Sequence, residues 1–363
     1  MPIQGTTPGR APRIDIAVGL AFEFLLTLNV FHDPKGYEYE VGSAWFEKVR
    51  QKATPALLAT IEEVPANWKL WHALLGLVYD SAPPRDVPSF LEYLGTIEPL
   101  ELRLHLLGYY QRSVRRIIPR DIIFQAAQGD SVAQGQYLQI PTSEDNDQQV
   151  YARHLFATDP AITKTTLLTI LHQWYDRVFR TFEREVLPIL ERDAEAKRAL
   201  QFTTTPERLI EIATNGLAYL PEPGIRTVVL TPSFVMRPWN EHTDYQDLMI
   251  FCYPVADESL EQESQVPVVR LVRLYQALAD ERRLRLLKLL TTRSYSLQEL
   301  ADEFGIAKTT MHYHLAILRT AGLVLAQPSG KLYSLRHERL AEVSELLFAY
   351  LGNHQEYRSS DWE

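Results

Sequence analysis

Apolar residues repeat with the period of an amphipathic helix along most of the chain before residue 227. One such stripe covers 14–28. Another runs through 162–200, where Pro188 should kink or split the helix. The intervals between stripes are short, which predicts a packed helical array rather than an extended one.

The pattern changes after this helical region. Residues 227–234 and 247–253 are apolar and rich in β-branched side chains, whereas 239–246 is mainly polar. This predicts a two-stranded antiparallel element with a loop between its strands. Glu241, His242 and Asp244 form a compact polar cluster on that loop, which favours a solvated turn over a ligand site.

A helix-turn-helix pattern occupies 297–322. Ser296 and Glu299 have the spacing of a capping box and open a first helix. Gly305 can end that helix in a left-handed conformation, and a tight turn leads to a second helix over 308–321.

The second helix has two chemically different faces. Met311, Leu315 and Leu318 form an apolar stripe that His314 and Ile317 widen. The opposite face is polar, as expected for a helix that presents side chains to base edges and phosphates. Its members are Lys308, Thr309, His312, Tyr313 and Arg319.

Two short apolar runs, 323–327 and 332–336, follow this helix around the turn 328–331. They predict a β-hairpin, and a hairpin in this position is a wing. Ser329 and Lys331 lie at its tip, where Lys331 could reach a phosphate.

In order, these features resemble the winged helix-turn-helix of the ArsR (arsenical repressor-like) regulators, over 268–351. The most specific segments are Ala277-Leu278-Ala279-Asp280, Arg283-Leu284, His314-Leu315, Leu318-Arg319 and Ala321-Gly322-Leu323. The resemblance implies DNA binding, with the base-reading positions at Lys308, Thr309, Thr310, His312 and Tyr313. The segment VVLTPSFVMRPW at 228–239 is followed by a second strand that ends at Tyr253-Pro254. With these pieces the region 10–256 resembles the N-terminal region of a subgroup of ArsR-like regulators that are longer than usual, which implies no activity.

This sequence departs from the family pattern at three places. Ala307 stands where a serine usually caps the recognition helix, which should weaken the helix start by about 1 kcal/mol. Tyr313 replaces a common arginine. The cysteine-containing metal motif is absent from 296–304.

A homodimer is the expected assembly, built from helices over 268–279 and 337–351. The predicted interface residues are Leu271, Leu274, Leu340, Val343, Leu347, Tyr350 and Leu351. The histidines at 337 and 354 do not have the spacing of the family's metal ligands.

Charge is divided unevenly along the 363 residues. Residues 268–351 contain 12 Lys or Arg and 8 Asp or Glu, which gives this segment a formal charge of +4. Because the whole chain has a net charge of −9, the remaining residues together carry −13. A mildly basic module is therefore attached to an acidic region.

Several kinds of function have no support in the sequence. The single cysteine, Cys252, excludes intrachain disulfides and favours a buried apolar role in a reducing cytoplasm over a redox sensor. No catalytic, cofactor or metal motif is present, and no signal peptide or membrane span is expected. The dense aromatic residues before 240 favour a core, with an aromatic-lined effector pocket as the alternative.

The predicted fold is mainly α. A helical domain with a small antiparallel β element covers 1–256, an acidic linker 257–267, a winged helix-turn-helix (α+β) domain 268–352 and a tail 353–363. The predicted function is a cytoplasmic homodimeric repressor that binds double-stranded DNA, with no cofactor and no catalysis. An unidentified effector could act at the N-terminal domain. The alternatives are a protein-interaction scaffold that no longer binds DNA and an enzyme fused to a regulator.

Overall fold

The computed structural model describes residues 11–33, 39–139, 147–260, 269–326 and 332–351. The chain forms two compact units. The first contains Met1–Ala199 and Pro221–Val255, and the second contains Leu200–Leu220 and Ala256–Glu363. The segment 200–220 therefore packs with the C-terminal module, whereas the sequence grouped it with the N-terminal helices.

The first unit is mainly helical with one small sheet. Its elements are β1 (Arg13–Ile16), α1 (Leu20–Phe31), α2 (Gly42–Lys52), α3 (Pro55–Glu62), α4 (Trp68–Asp80), α5 (Val87–Thr96), α6 (Pro99–Leu106), α7 (Arg112–Arg115), α8 (Arg120–Ala127), α9 (Ser131–Gln139), α10 (Asp147–Ala157), α11 (Pro160–Arg177), α12 (Glu183–Gln201, whose last residues enter the second unit), β2 (Thr227–Ser233), β3 (Glu241–Tyr245) and β4 (Leu248–Pro254).

The second unit contains a winged helix-turn-helix. Its elements are α13 (Pro206–Ala213), α14 (Val269–Leu278), α15 (Glu281–Leu290), α16 (Leu297–Phe304), α17 (Lys308–Thr320), β5 (Val324–Ala326), β6 (Tyr333–Leu335) and α18 (His337–Leu351). The mainly α class with small β elements is thus confirmed.

The sheet of the first unit differs from the predicted antiparallel pair. Four described strands run in the order β1-β2-β4-β3, with β2 parallel to both β1 and β4 and with β3 antiparallel to β4. The segment 239–246, which was predicted to be a polar loop, contains the edge strand β3. This strand returns the chain to the other end of the sheet, so that β4 can run parallel to β2. The predicted helix over 14–28 likewise begins later, because 13–16 pairs with β2 as a strand.

The long helical segment breaks before its proline. α11 ends at Arg177, a short 3₁₀ turn covers Phe179–Thr181, and Pro188 lies inside α12. Pro188 therefore does not split the helix, and the predicted alternative of a kink at Pro188 stays a prediction.

Aromatic side chains of the first unit build its core. Trp71, Trp174, Phe24 and Phe90 are almost fully buried. The indole of Trp174 donates to the Thr27 hydroxyl at 3.0 Å, so its polar atom is satisfied inside the core. The structure favours the core interpretation of these aromatic residues.

Candidate DNA-binding surface

Local signals mark both the start of α16 and the turn that leads from it to α17. The Ser296 hydroxyl accepts from the Glu299 backbone N–H at 3.2 Å, and the Glu299 carboxylate accepts from the Ser296 N–H at 2.7 Å. Gly305 ends α16 at φ +62°, a conformation that costs glycine little. The capping box and the glycine turn are both confirmed.

Helix α17 separates its two faces as predicted. Met311, Leu315 and Leu318 are buried in the core of the module, and His314 is buried beside them. Burial lowers the pKa of the His314 imidazole, so this side chain is neutral at pH 7 and belongs to the packed face.

The outer face of α17 gathers five predicted DNA-contacting residues on its N-terminal half. Lys308, Thr309, Thr310, His312 and Tyr313 are all exposed, with Tyr313 at 42%. Together they offer a cation, hydroxyls, an imidazole and an aromatic ring to a groove of DNA.

The start of α17 has no side-chain cap, because Ala307 occupies that position. The first backbone N–H groups of a helix have no intrahelical acceptor. Here they lie next to Lys308, so this end can contact a phosphate.

Arg319 lies apart from this surface. It is half-buried, and its Cγ would be 3.9 Å from a Cβ placed on Gly216. Burial raises the pKa of Tyr333, and the charge of Arg319 offsets part of that rise. Arg319 was also predicted to contact DNA, but it does not belong to the exposed group of residues on α17.

The wing consists of β5 and β6, paired antiparallel with Leu325 opposite Ser334. Tyr295 adds a further bridge to Tyr333, with N–H···O distances of 3.0 and 2.7 Å in the two directions. The wing residues Ser329 and Lys331 lie outside the described residues.

The module also exposes basic side chains that do not belong to the predicted DNA-contacting set. On α15 they recur at every third position, which places them along one side of the helix, and Arg293 follows in the next loop. The Arg293 guanidinium lies 3.0 Å from the Glu299 carboxylate and 3.8 Å from the Tyr295 ring centroid. The α15 residues are Arg282, Arg285 and Lys288.

The predicted dimer residues fall into two groups. Leu271 and Leu274 are buried within the chain, 5% and 2% exposed, and Leu274 belongs to the core of the module. On α14 the exposed apolar residues are instead Val272 and Tyr275.

Helix α18 packs on α14 and leaves an apolar surface outside. Val343 and Leu346 face the core of the module and Leu347 is half-buried. The outer surface comprises Leu340, Phe348, Tyr350 and Leu351, of which Phe348 is 59% and Leu351 54% exposed.

The first unit has a polar pocket of about 260 Å³ beside β3. His72, Arg112 and Asp244 are among its lining residues. The Asp244 carboxylate accepts from the backbone N–H groups of Arg112 and Ser113, and the second of these bonds is 3.1 Å long. Thus Glu241, His242 and Asp244 lie on a strand rather than on a solvated turn.

Within the described ranges, no three His, Cys, Asp or Glu side chains are grouped in a way that could hold a metal ion. His337 is exposed, and His354 lies beyond those ranges. No helix in the described part of the chain is long and apolar enough to cross a membrane.

Comparison with known proteins assigns the C-terminal module. Residues 280–325 match the family described as bacterial regulatory protein, arsR family. No curated protein and no solved structure matches the chain significantly. The module is an ArsR-like helix-turn-helix of a DNA-binding transcription regulator, and the match does not extend to the first unit.

Proposed function

We propose that this chain is a homodimeric transcriptional repressor that reads an inverted-repeat operator. The observation that carries the proposal is the exposed polar group on α17, from Lys308 to Tyr313, in a module of the ArsR type. An α-helix that presents such side chains fits the major groove, where each base pair has its own donor and acceptor pattern.

The outer apolar surface of α14 and α18 supports dimerisation. Val272 and Tyr275 from α14 and Phe348 and Leu351 from α18 are large apolar side chains on two helices that contact each other. A two-fold assembly reads a two-fold site, so half-sites should lie about one helical turn apart.

Regulation is proposed to act through the first unit, without catalysis and without a cofactor. Its polar pocket beside β3 offers room and polar groups for a small ligand. Such a ligand would regulate DNA binding only through a difference in its affinity for two states of the dimer. We place the protein in the cytoplasm, where a repressor meets its operator.

Selection of bound duplexes from a random library tests this function. We expect enrichment of an inverted repeat, with affinity that falls steeply as salt rises because phosphate contacts release counterions. Recovery of no duplex would favour an interaction scaffold. Turnover of a small molecule by the first unit would favour a fused enzyme.

Variants of α17 then test its assigned role. His312→Ala and Tyr313→Ala should weaken operator binding by roughly five- to a hundredfold, the range for one base-reading contact, and weaken binding to random duplex much less. His337→Ala is the matched control, because His337 is exposed on α18. Equal losses on operator and random duplex would contradict base reading by α17.

A further inference from the structure

Helix α13 ends in a turn at Asn215 and Gly216. Asn215 adopts φ +53°, and the N–H groups of Asn215 and Gly216 donate to the carbonyls of Ile212 and Glu211 at 3.3 and 2.9 Å. This is a Schellman turn, which satisfies two of the helix's last carbonyls and fixes the direction of the chain.

The Asn215 side chain contacts the far end of the recognition helix. Its amide nitrogen donates to the Thr320 carbonyl at 2.7 Å. The last four carbonyls of a helix lack intrahelical partners, and in α17 those of Leu318 and Arg319 accept from Leu323 and Gly322. The Thr320 carbonyl takes no part in this local turn, so the Asn215 side chain caps it from a segment distant in sequence.

The residues after Asn215 extend the sheet of the wing. Ala326 N–H donates to the Gly216 carbonyl at 3.0 Å, and Ala218 N–H donates to the Ala326 carbonyl at 2.9 Å. This forms a parallel bridge between Leu217 and Ala326. The approach is close, since a Cβ on Gly216 would be 3.2 Å from the Val324 carbonyl oxygen.

An ion pair connects the same segment to the start of α18. The Arg336 guanidinium donates to the Glu211 carboxylate at 3.2 Å, and the two side chains are 8% and 19% exposed. Arg336 directly precedes α18, so α13 holds the base of the wing and the beginning of the proposed dimer helix.

We propose that residues 211–218 position the recognition helix and the wing for reading DNA. Asn215 and Glu211 are the positioning residues, and they act without touching DNA themselves. The functional DNA-binding unit thus includes a segment well before the family match at 280–325. This inference rests on the proposed function, because it concerns how the same surface is held.

Asn215→Gly in the full chain is the first test. Glycine accepts the positive φ, so the turn is kept while the amide donor is lost. One hydrogen bond corresponds to a factor of about 2 to 12 in an equilibrium constant, so operator affinity should fall several-fold. Random-duplex affinity and the salt dependence should stay unchanged, because no phosphate contact is removed.

A second pair of variants separates positioning from general destabilisation. Glu211→Gln should lower the ratio of operator to random-duplex affinity. Arg208→Gln is its control, since Arg208 bonds the same carboxylate from an exposed position and should leave that ratio unchanged. Hydrogen exchange of the Ala326 amide should accelerate in Asn215→Gly, because the lost bond to Thr320 loosens the segment that pairs with Ala326.

Each outcome decides the inference. If the unaltered protein binds an operator and both Asn215→Gly and Glu211→Gln keep its affinity within twofold, the positioning role is wrong. If the Asn215→Gly protein does not fold, the ratio of operator affinity to random-duplex affinity in Glu211→Gln decides whether the positioning role holds. If the unaltered protein selects no duplex at all, the proposed function fails, and that result is recognised before any variant is made.

Discussion

A single buried carboxyl shows how one residue can organise the first unit. Glu23 on α1 is almost fully buried and accepts from the Ser233 hydroxyl at 2.6 Å and from the backbone N–H of Val235 at 2.8 Å. Burial nevertheless raises its pKa from 4.5 to about 7, since the donors offset only part of the desolvation. Glu23 holds the turn after β2 against the first helix.

The raised pKa of Glu23 predicts a loss of stability as pH rises. Its contribution is complete below pH 4.5 and disappears as pH passes through about 7. At roughly 1.4 kcal/mol per pKa unit, the loss is roughly 3 to 4 kcal/mol at most. Denaturant unfolding at pH 5 to 8 should therefore show a smaller pH-dependent loss in Glu23→Gln than in the unaltered protein.

Glu47→Gln is the control for this measurement, because Glu47 is exposed and should reproduce the unaltered profile. A constant difference between Glu23→Gln and the unaltered protein across this window would contradict the assignment to Glu23.

At the scale of secondary-structure elements, local signals predicted the helix-turn-helix well. The capping box of Ser296 and Glu299 and the left-handed Gly305 act within a few residues of each other, so the sequence contains all the information they need. Leu271 and Leu274 show the limit of such signals. They have helical spacing, but an apolar stripe does not say whether it will face a core or a partner.

Helix α18 carries the prediction that belongs to this scale. Phe348→Glu and Leu351→Glu should convert the proposed dimer to a monomer and abolish tight operator binding, because an unpaired charge at an apolar interface is costly. Both side chains are more than half exposed within the chain, so the fold should survive. Sedimentation and operator binding measure the two effects.

Ala349→Glu is the matched control for α18. Ala349 is exposed on the same helix, about 100° around from Phe348, and adds the same charge outside the apolar stripe. If Phe348→Glu and Leu351→Glu still sediment as dimers, the interface lies elsewhere.

At the scale of the whole molecule, the chain passes three times between its two units, near residues 199, 220 and 255. The first two passages enclose the segment that contacts α17 and β5. A change in the first unit therefore has a covalent route to the proposed positioning residues, Glu211 and Asn215.

The whole chain should work without a bound metal. Cys252 is buried, and burial raises the pKa of its thiol well above the usual range, which disfavours the thiolate that binds metals. Treatment with a chelator should leave operator affinity within about twofold. Stoichiometric zinc or nickel in the purified protein, together with a chelator-dependent affinity, would contradict this expectation.

The sequence by itself determined the features that depend on near neighbours. These are the helical periodicity, the capping box, the turn at Gly305 and the polar face from Lys308 to Tyr313, because each arises from residues within a few turns of one helix. Tertiary structure decided how distant segments pair. The parallel register of β2 and β4, the inward direction of Leu271 and the docking of Asn215 on Thr320 all depend on contacts between segments far apart in the chain. Hydrophobic spacing indicates that a face will be buried, but packing among all the available faces selects its partner.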